Sequence, residues 1–187
     1  MPATYLVAIV ALGLTVVPLL LVVVNGFRTN ADINNNAAGL PSPWVAGNYT
    51  AILKSAAFWQ LIGNSALISV VATALVLVLG TMAALVDGAS RFRFFVQILL
   101  PLAKPALVTV GLLAFVTNWN QYFLPLLVLQ TQSHYTLPLG TYMFQSSYSQ
   151  NVAGIFAYSA MAMLPALGAF VFAERYIVAG ATGAVKG

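Results

Sequence analysis

Four long apolar runs alternate with shorter polar stretches along the chain. The first, "TYLVAIVALGLTVVPLLLVVV", covers 4–24 without a charge, and the second covers 61–86 and ends in "ALISVVATALVLVLGTMAALV". The third lies over 105–130, and the fourth, "VAGIFAYSAMAMLPALGAFVFA", covers 152–173 and is closed by Glu174 and Arg175. A bilayer core of about 30 Å needs about 20 apolar residues per helix, and each run meets that length. The runs are continuous rather than alternating with a period of two, which argues for helices and against a β-barrel. A signal peptide would carry a basic n-region, a shorter apolar core and a small-residue cleavage site. The first run has none of these and is read as a retained helix. The pattern predicts an all-α integral membrane protein of about four transmembrane helices, a single domain over 1–187.

Composition agrees with that reading. A soluble domain carries about 25% charged residues, whereas this chain has 5% charged and 61% hydrophobic residues. Its net charge of +4 comes from seven scattered Lys and Arg, which make no cluster able to neutralise nucleic-acid phosphates. The absence of cysteine excludes thiol catalysis, Cys-ligated zinc and disulfides. An intramembrane enzyme would need a nucleophile and base or a metal cluster. The three carboxylates and one histidine are grouped in no span.

The charges instead orient the spans. Arg91, Arg93, Lys104, Arg175 and Lys186 fall on one side of the membrane, and Arg28 and Lys54 on the other. By the positive-inside rule both termini and the 87–104 loop are cytoplasmic, and 25–55 and 131–151 are outer segments. His134, alone in the second outer segment, is expected to be solvated rather than a ligand. Asn48-Tyr49-Thr50 has the form of a glycosylation sequon; it is read instead as part of a "W…NY" outer segment.

The 87–104 loop gathers Asp87, Arg91, Arg93 and Lys104 between two apolar runs. Gly88 can end a helix with positive φ, and Ser90 can cap a new one. That helix would set Phe92, Phe95 and Leu99 on one stripe before Pro101 and Pro105. Two readings stand: an interfacial helix with snorkelling arginines, or a docking surface for a soluble partner.

In the third run, Asn118, Gln121 and Tyr122 are spaced i, i+3 and i+4, which predicts one helical face, flanked by Trp119 and Asn120. Amides and aromatic rings suit a neutral sugar, with hydroxyls to pair and apolar ring faces to stack. Such amides also bond neighbouring helices and nothing more. Ala162, Ala166, Ala169 and Ala173 make a small-residue stripe suited to close helix packing.

Asp87-Gly88-Ala89-Ser90 followed by "ILLP" at 98–101 resembles the EAA loop of permease subunits in binding-protein-dependent ABC importers. "NGFRTNADI" (25–33), "GLPSPWVAGNYTAIL" (39–53), "NWNQYFLPLL" (118–127), "TLPLG" (136–140) and "GATGAVKG" (180–187) are similar to the carbohydrate-type members, in the family's order. The resemblance implies a multi-pass subunit of the bacterial inner membrane. It implies three kinds of partner: ABC ATPase subunits, a second permease chain and an extracytoplasmic solute-binding protein. ATP and magnesium would sit on the ATPase, with no cofactor or metal in this chain, which lacks a G-x-x-x-x-G-K-[ST] loop. Carried over, Ala83, Ala84, Asp87, Gly88, Ala89, Ser90 and Pro101 would couple to the ATPase. Asn118, Trp119, Asn120, Gln121 and Tyr122 would line the substrate pathway.

Members of that family have six spans. Here Met82-Ala83-Ala84 runs directly into "LVDGAS", as though two central helices were missing and the chain joined at its alanine pairs. Removing two spans preserves the direction of every later helix. It also puts Met82 at the family's glutamate position. Two readings of function follow: a carbohydrate importer subunit, or a shortened protein that assembles without ATPase coupling.

Overall fold

The computed structural model describes residues 2–86, 101, 103–141 and 151–184, with side chains for 4–82, 101, 103–141 and 151–175. Among these residues there is no strand. Helix α1 spans Pro2–Asn25, α2 Asn30–Asn35, α3 Gly47–Lys54 and α4 Ala56–Val86. Helix α5 spans Lys104–Trp119, α6 Phe123–Val128 and α7 Val152–Ala184. A 3-10 turn covers Gln132–His134, and residues 137–141 are helical.

Among the described residues three helices are long and apolar enough to cross a membrane, over Thr4–Asn25, Ala56–Met82 and Val152–Arg175. These overlap the first, second and fourth apolar runs. Exposed apolar side chains surround α1, from Tyr5 and Leu6 to Leu21 and Val23. A helix apolar on every side belongs in lipid or against other apolar helices.

The third run departs from expectation. Instead of one helix over 105–130, α5 ends at Trp119 and the six-residue α6 begins at Phe123. Two local causes act together. Pro125 has no N–H, so Gln121 would lose its i+4 donor in a continuous helix, and the ring would crowd the Gln121 carbonyl. In the observed arrangement Pro125 lies in the first turn of α6, where the N–H has no intrahelical partner in any case. Asn118 and Asn120 contribute the second cause. Their side-chain amides donate to Ala114 O at 2.8 Å and Val116 O at 2.9 Å, the competition with backbone bonding that makes Asn a helix-ending residue.

The chain forms two compact units, the first comprising Met1–Leu61 and Leu139–Met163, the second Ile62–Pro138 and Leu164–Gly187. The core of the first contains Ile52, Phe58, Leu61, Leu139, Ala153, Ala157 and Tyr158. Phe58 meets Tyr158 edge-on with ring centroids 5.6 Å apart. Glycine permits two close approaches there. A Cβ on Gly26 would stand 2.9 Å from the Ala157 Cα and 2.5 Å from Tyr49 Oη, and one on Gly140 would overlap Tyr158 and Leu61. Small residues let helices and loops approach at backbone distance.

In the second unit Gly111 faces Leu77. The segment leading into residues 137–141 is tied to α4 by polar bonds. Asn64 donates to Ser133 O at 2.8 Å and Tyr135 O at 2.9 Å, and Ser65 Oγ accepts from Leu137 N at 2.6 Å.

Candidate functional site

The 25–55 segment is organised by one arginine. Arg28 is fully enclosed, and its guanidinium makes five hydrogen bonds. Nε donates to Asp32 Oδ2 at 2.7 Å, Nη1 to Asn25 Oδ1 at 3.0 Å and to Ala37 O, and Nη2 to Asp32 O at 2.8 Å and to Asn36 O. Five is the whole donor set of a guanidinium. The carbonyls of Asp32 and Asn36 also accept backbone N–H groups, from Asn36 at 3.0 Å and Gly39 at 3.2 Å, so the guanidinium adds a second donor to each. At the start of α2, Thr29 Oγ1 accepts from Asp32 N at 3.1 Å as an N-cap. The hydrogen bond from Arg28 holds the Asp32 carboxyl below the usual carboxylate range, and the same bond raises the guanidinium.

The rest of the motif closes on the same knot. Asn48 Nδ2 donates to Gly26 O and Arg28 O at 2.9 and 3.0 Å, and Tyr49 Oη donates to Val23 O at 2.7 Å. Burial pushes the Tyr49 phenol up, so it remains a neutral donor. Asn30 Oδ1 accepts from Ala153 N at 2.9 Å, at the start of α7. The polar letters of "NGFRTNADI" and "GNY" are therefore structural: they point into the fold rather than outward. Trp44 does point outward, at 63% exposure.

The predicted coupling residues lie at the end of α4 and the start of α5. Ala83 and Ala84 are in the last turn of α4; Asp87, Gly88, Ala89 and Ser90, and the helix expected after them, lie outside the described residues. At 31 residues, α4 is about 46 Å long, well beyond a ~30 Å hydrocarbon core. Pro101 is exposed and borders an apolar pocket of about 530 Å³ with Leu77, Lys104, Leu107, Val108 and Gly111.

The predicted pathway residues fall on the break between α5 and α6, not on one helical face. Asn118 is half-buried, Trp119 is 3% exposed, and Asn120, Gln121 and Tyr122 are exposed. Trp119 stacks on Phe115 with centroids 5.6 Å apart and an interplanar angle of 27°. Each asparagine gives one amide hydrogen to its own helix and keeps its Oδ1 and second hydrogen. The break thus offers two amides beside a phenol and an amide side chain, a neutral set that can donate and accept. His134 is exposed, as expected for a solvated side chain.

A further polar feature escaped the sequence reading. Ser65, Ser69 and Thr73 recur every fourth residue, which puts three hydroxyls on one face of α4. Ser65 is bonded to Leu137 N. Ser69 Oγ, Thr73 Oγ1 and Thr136 Oγ1 are buried without a hydrogen-bond partner among the described residues. The i, i+4, i+8 spacing inside an apolar run was the available signal.

Residues 3–178 match the family described as "Binding-protein-dependent transport system inner membrane component". The chain is 37% identical over 106 residues to an arabinooligosaccharides transport system permease protein of Halalkalibacterium halodurans, covering 56% of this chain and 38% of that relative. It is 38% identical over 105 residues to a diacetylchitobiose uptake system permease protein of Streptomyces coelicolor, with the same coverage of 56% and 38%. The chain therefore spans well under half the length of these curated relatives. Among solved structures, it is similar to a chain in the crystal structure of a bacterial ABC transporter involved in the import of the acidic polysaccharide alginate. That match has a TM-score of 0.66 and 17% identity, over 93% of this chain and 94% of the other; it establishes a common fold.

Proposed function

The chain belongs to the family of binding-protein-dependent transport system inner membrane components, and from that premise we propose that it is the permease subunit of a carbohydrate ABC importer. In this reading it receives a sugar from an external solute-binding protein. It forms a path with a second permease chain and is driven by separate ATPase subunits that hold ATP and magnesium. The observation that carries the proposal is the family match over 3–178, joined to relatives named as oligosaccharide permeases.

Within this reading, Ala83, Ala84, Asp87, Gly88, Ala89, Ser90 and Pro101 meet the ATPase. The length of α4 supports it, since 31 residues, about 46 Å, exceed what a ~30 Å hydrocarbon core requires. Asn118, Trp119, Asn120, Gln121 and Tyr122 line the path: the free amide groups pair with hydroxyls, and the rings offer faces for stacking. The chain sits in the bacterial inner membrane with both termini cytoplasmic.

One observation favours a second reading. The resemblance puts Met82 at the family's glutamate position, and the matched 106 residues cover 38% of that relative's length. A permease without the rest of the docking element would assemble without ATPase coupling. Co-expression with the neighbouring ATPase and partner permease, followed by purification in mild detergent, separates the two. Capture of the ATPase, and its release by Gly88→Val, supports the importer. Capture of the partner permease alone refutes ATPase coupling for this chain.

A further inference from the structure

Of the chain's three tryptophans, Trp119 is buried, and the two exposed ones stand where the first two spans end. Trp44 is 63% exposed and Trp59 is 53% exposed. Trp44 is held at the level of the α1 terminus. Its ring lies 5.5 Å from that of Phe27, two residues past Asn25, and the adjoining Val45 N donates to Phe27 O at 2.7 Å. Among the described residues its indole N–H has no acceptor. Trp59 lies at the start of α4, and its Nε1 donates to Leu53 O at 2.8 Å.

Depth follows from helix length. Helix α4, Ala56–Val86, carries no charge over its 31 residues, or about 46 Å at ~1.5 Å per residue, against a core of about 30 Å. The excess, divided between two ends, puts the hydrocarbon boundary about 8 Å inside Ala56, roughly five residues along. Trp59, three residues along, falls just outside that boundary, at the headgroup level. Indoles concentrate at this level because the ring is apolar and the N–H is polar. Lys54 is exposed beside it in the chain, with an ammonium suited to phosphate, and Leu53 is 47% exposed.

We propose that Trp44 and Trp59, with Leu53 and Lys54, form an interfacial anchor seated in the lipid headgroup layer, which fixes how deeply α1 and α4 sit in the bilayer. The occupant of this surface is the lipid interface, not a protein. What argues for it is continuity with the lipid-exposed faces of both spans. The proposal requires only that α1 and α4 cross a bilayer, not that the chain transports.

The test is tryptophan quenching in the full chain, reconstituted into vesicles of three parts phosphatidylcholine to one part phosphatidylglycerol. Spin labels are placed near the lipid carbonyl or near the acyl terminus, and acrylamide is added outside. Trp44→Phe, Trp59→Phe and the double variant preserve an aromatic volume, and their elution profiles report folding. The shallow label is expected to quench most strongly. Each substitution should remove part of that quenching, and the double variant should remove most of it, because Trp119 is buried. Dominant quenching by acrylamide, or by the deep label, overturns the proposal. So does quenching by none of the three, which would mean that protein covers the patch. Shallow quenching in a chain that fails to bind the ATPase would uphold the anchor while refuting the importer.

Discussion

In the first unit the enclosed Arg28 donates to five acceptors, and Asn30, Asn48 and Tyr49 each reach a backbone group. In the second unit Ser69, Thr73 and Thr136 bury hydroxyls that meet no acceptor or donor among the described residues. Asn118 and Asn120 there retain amide capacity beyond their own helix. The contrast is instructive because a buried polar group left unpaired costs far more than a typical hydrogen bond contributes. Among the described residues the first unit pairs its buried polar side chains, Asn25 and Arg28, within itself and can serve as a rigid frame. The second carries the candidate pathway residues Asn118 and Asn120.

Arg28→Met should break the comparison most severely. It would remove all five guanidinium bonds, those to the Asp32 carboxylate and Asn25 Oδ1 among them, and the thermal midpoint in mild detergent should fall further than for any substitution below. Arg28→Lys should not restore it, since one ammonium cannot span a planar fork of five contacts. Next comes Gly140→Ala, whose Cβ would overlap Tyr158 and Leu61; overpacking of this kind costs about 1–3 kcal/mol. Gly63→Ala is the control, with nothing within 4 Å of its Cβ, and should be neutral or stabilising.

In the second unit, Ser65→Ala removes the acceptor of the Leu137 N–H and should cost about 1–3 kcal/mol, the penalty of a buried unpaired donor. Acid titration probes the frame again, more gently. Because the folded pKa of Asp32 is depressed, its stabilising contribution is complete above the ordinary value of 3.8. It fades only as pH falls through the lower, folded value. A melting series across that acid range should show the loss, and Asp32→Asn should flatten it. Ser69→Ala should hold or raise stability, because no bond is lost and a buried unpaired hydroxyl is removed. It is also the sharpest test: a fall in transport at unchanged stability would give that hydroxyl a role in the pathway.

The apolar runs determined by themselves that this chain enters a membrane as helices. Transfer free energy sums along a helix, and 21 consecutive uncharged residues over 4–24 need no tertiary partner to favour lipid. They also located α1, α4 and α7 to within a few residues, apart from the continuation of α7 to Ala184. The break at 120–122 was half legible, in Pro125 and the flanking asparagines, yet a periodicity count treats those asparagines as one face of a continuous helix. The tertiary structure alone decided which polar groups are closed. Arg28 read as a topological charge until its five acceptors were in place, and Asn30 reaches Ala153 across 123 residues. Hydrogen bonds act over about 3 Å, so their pairing depends on where packing puts distant segments, which no count along the chain contains.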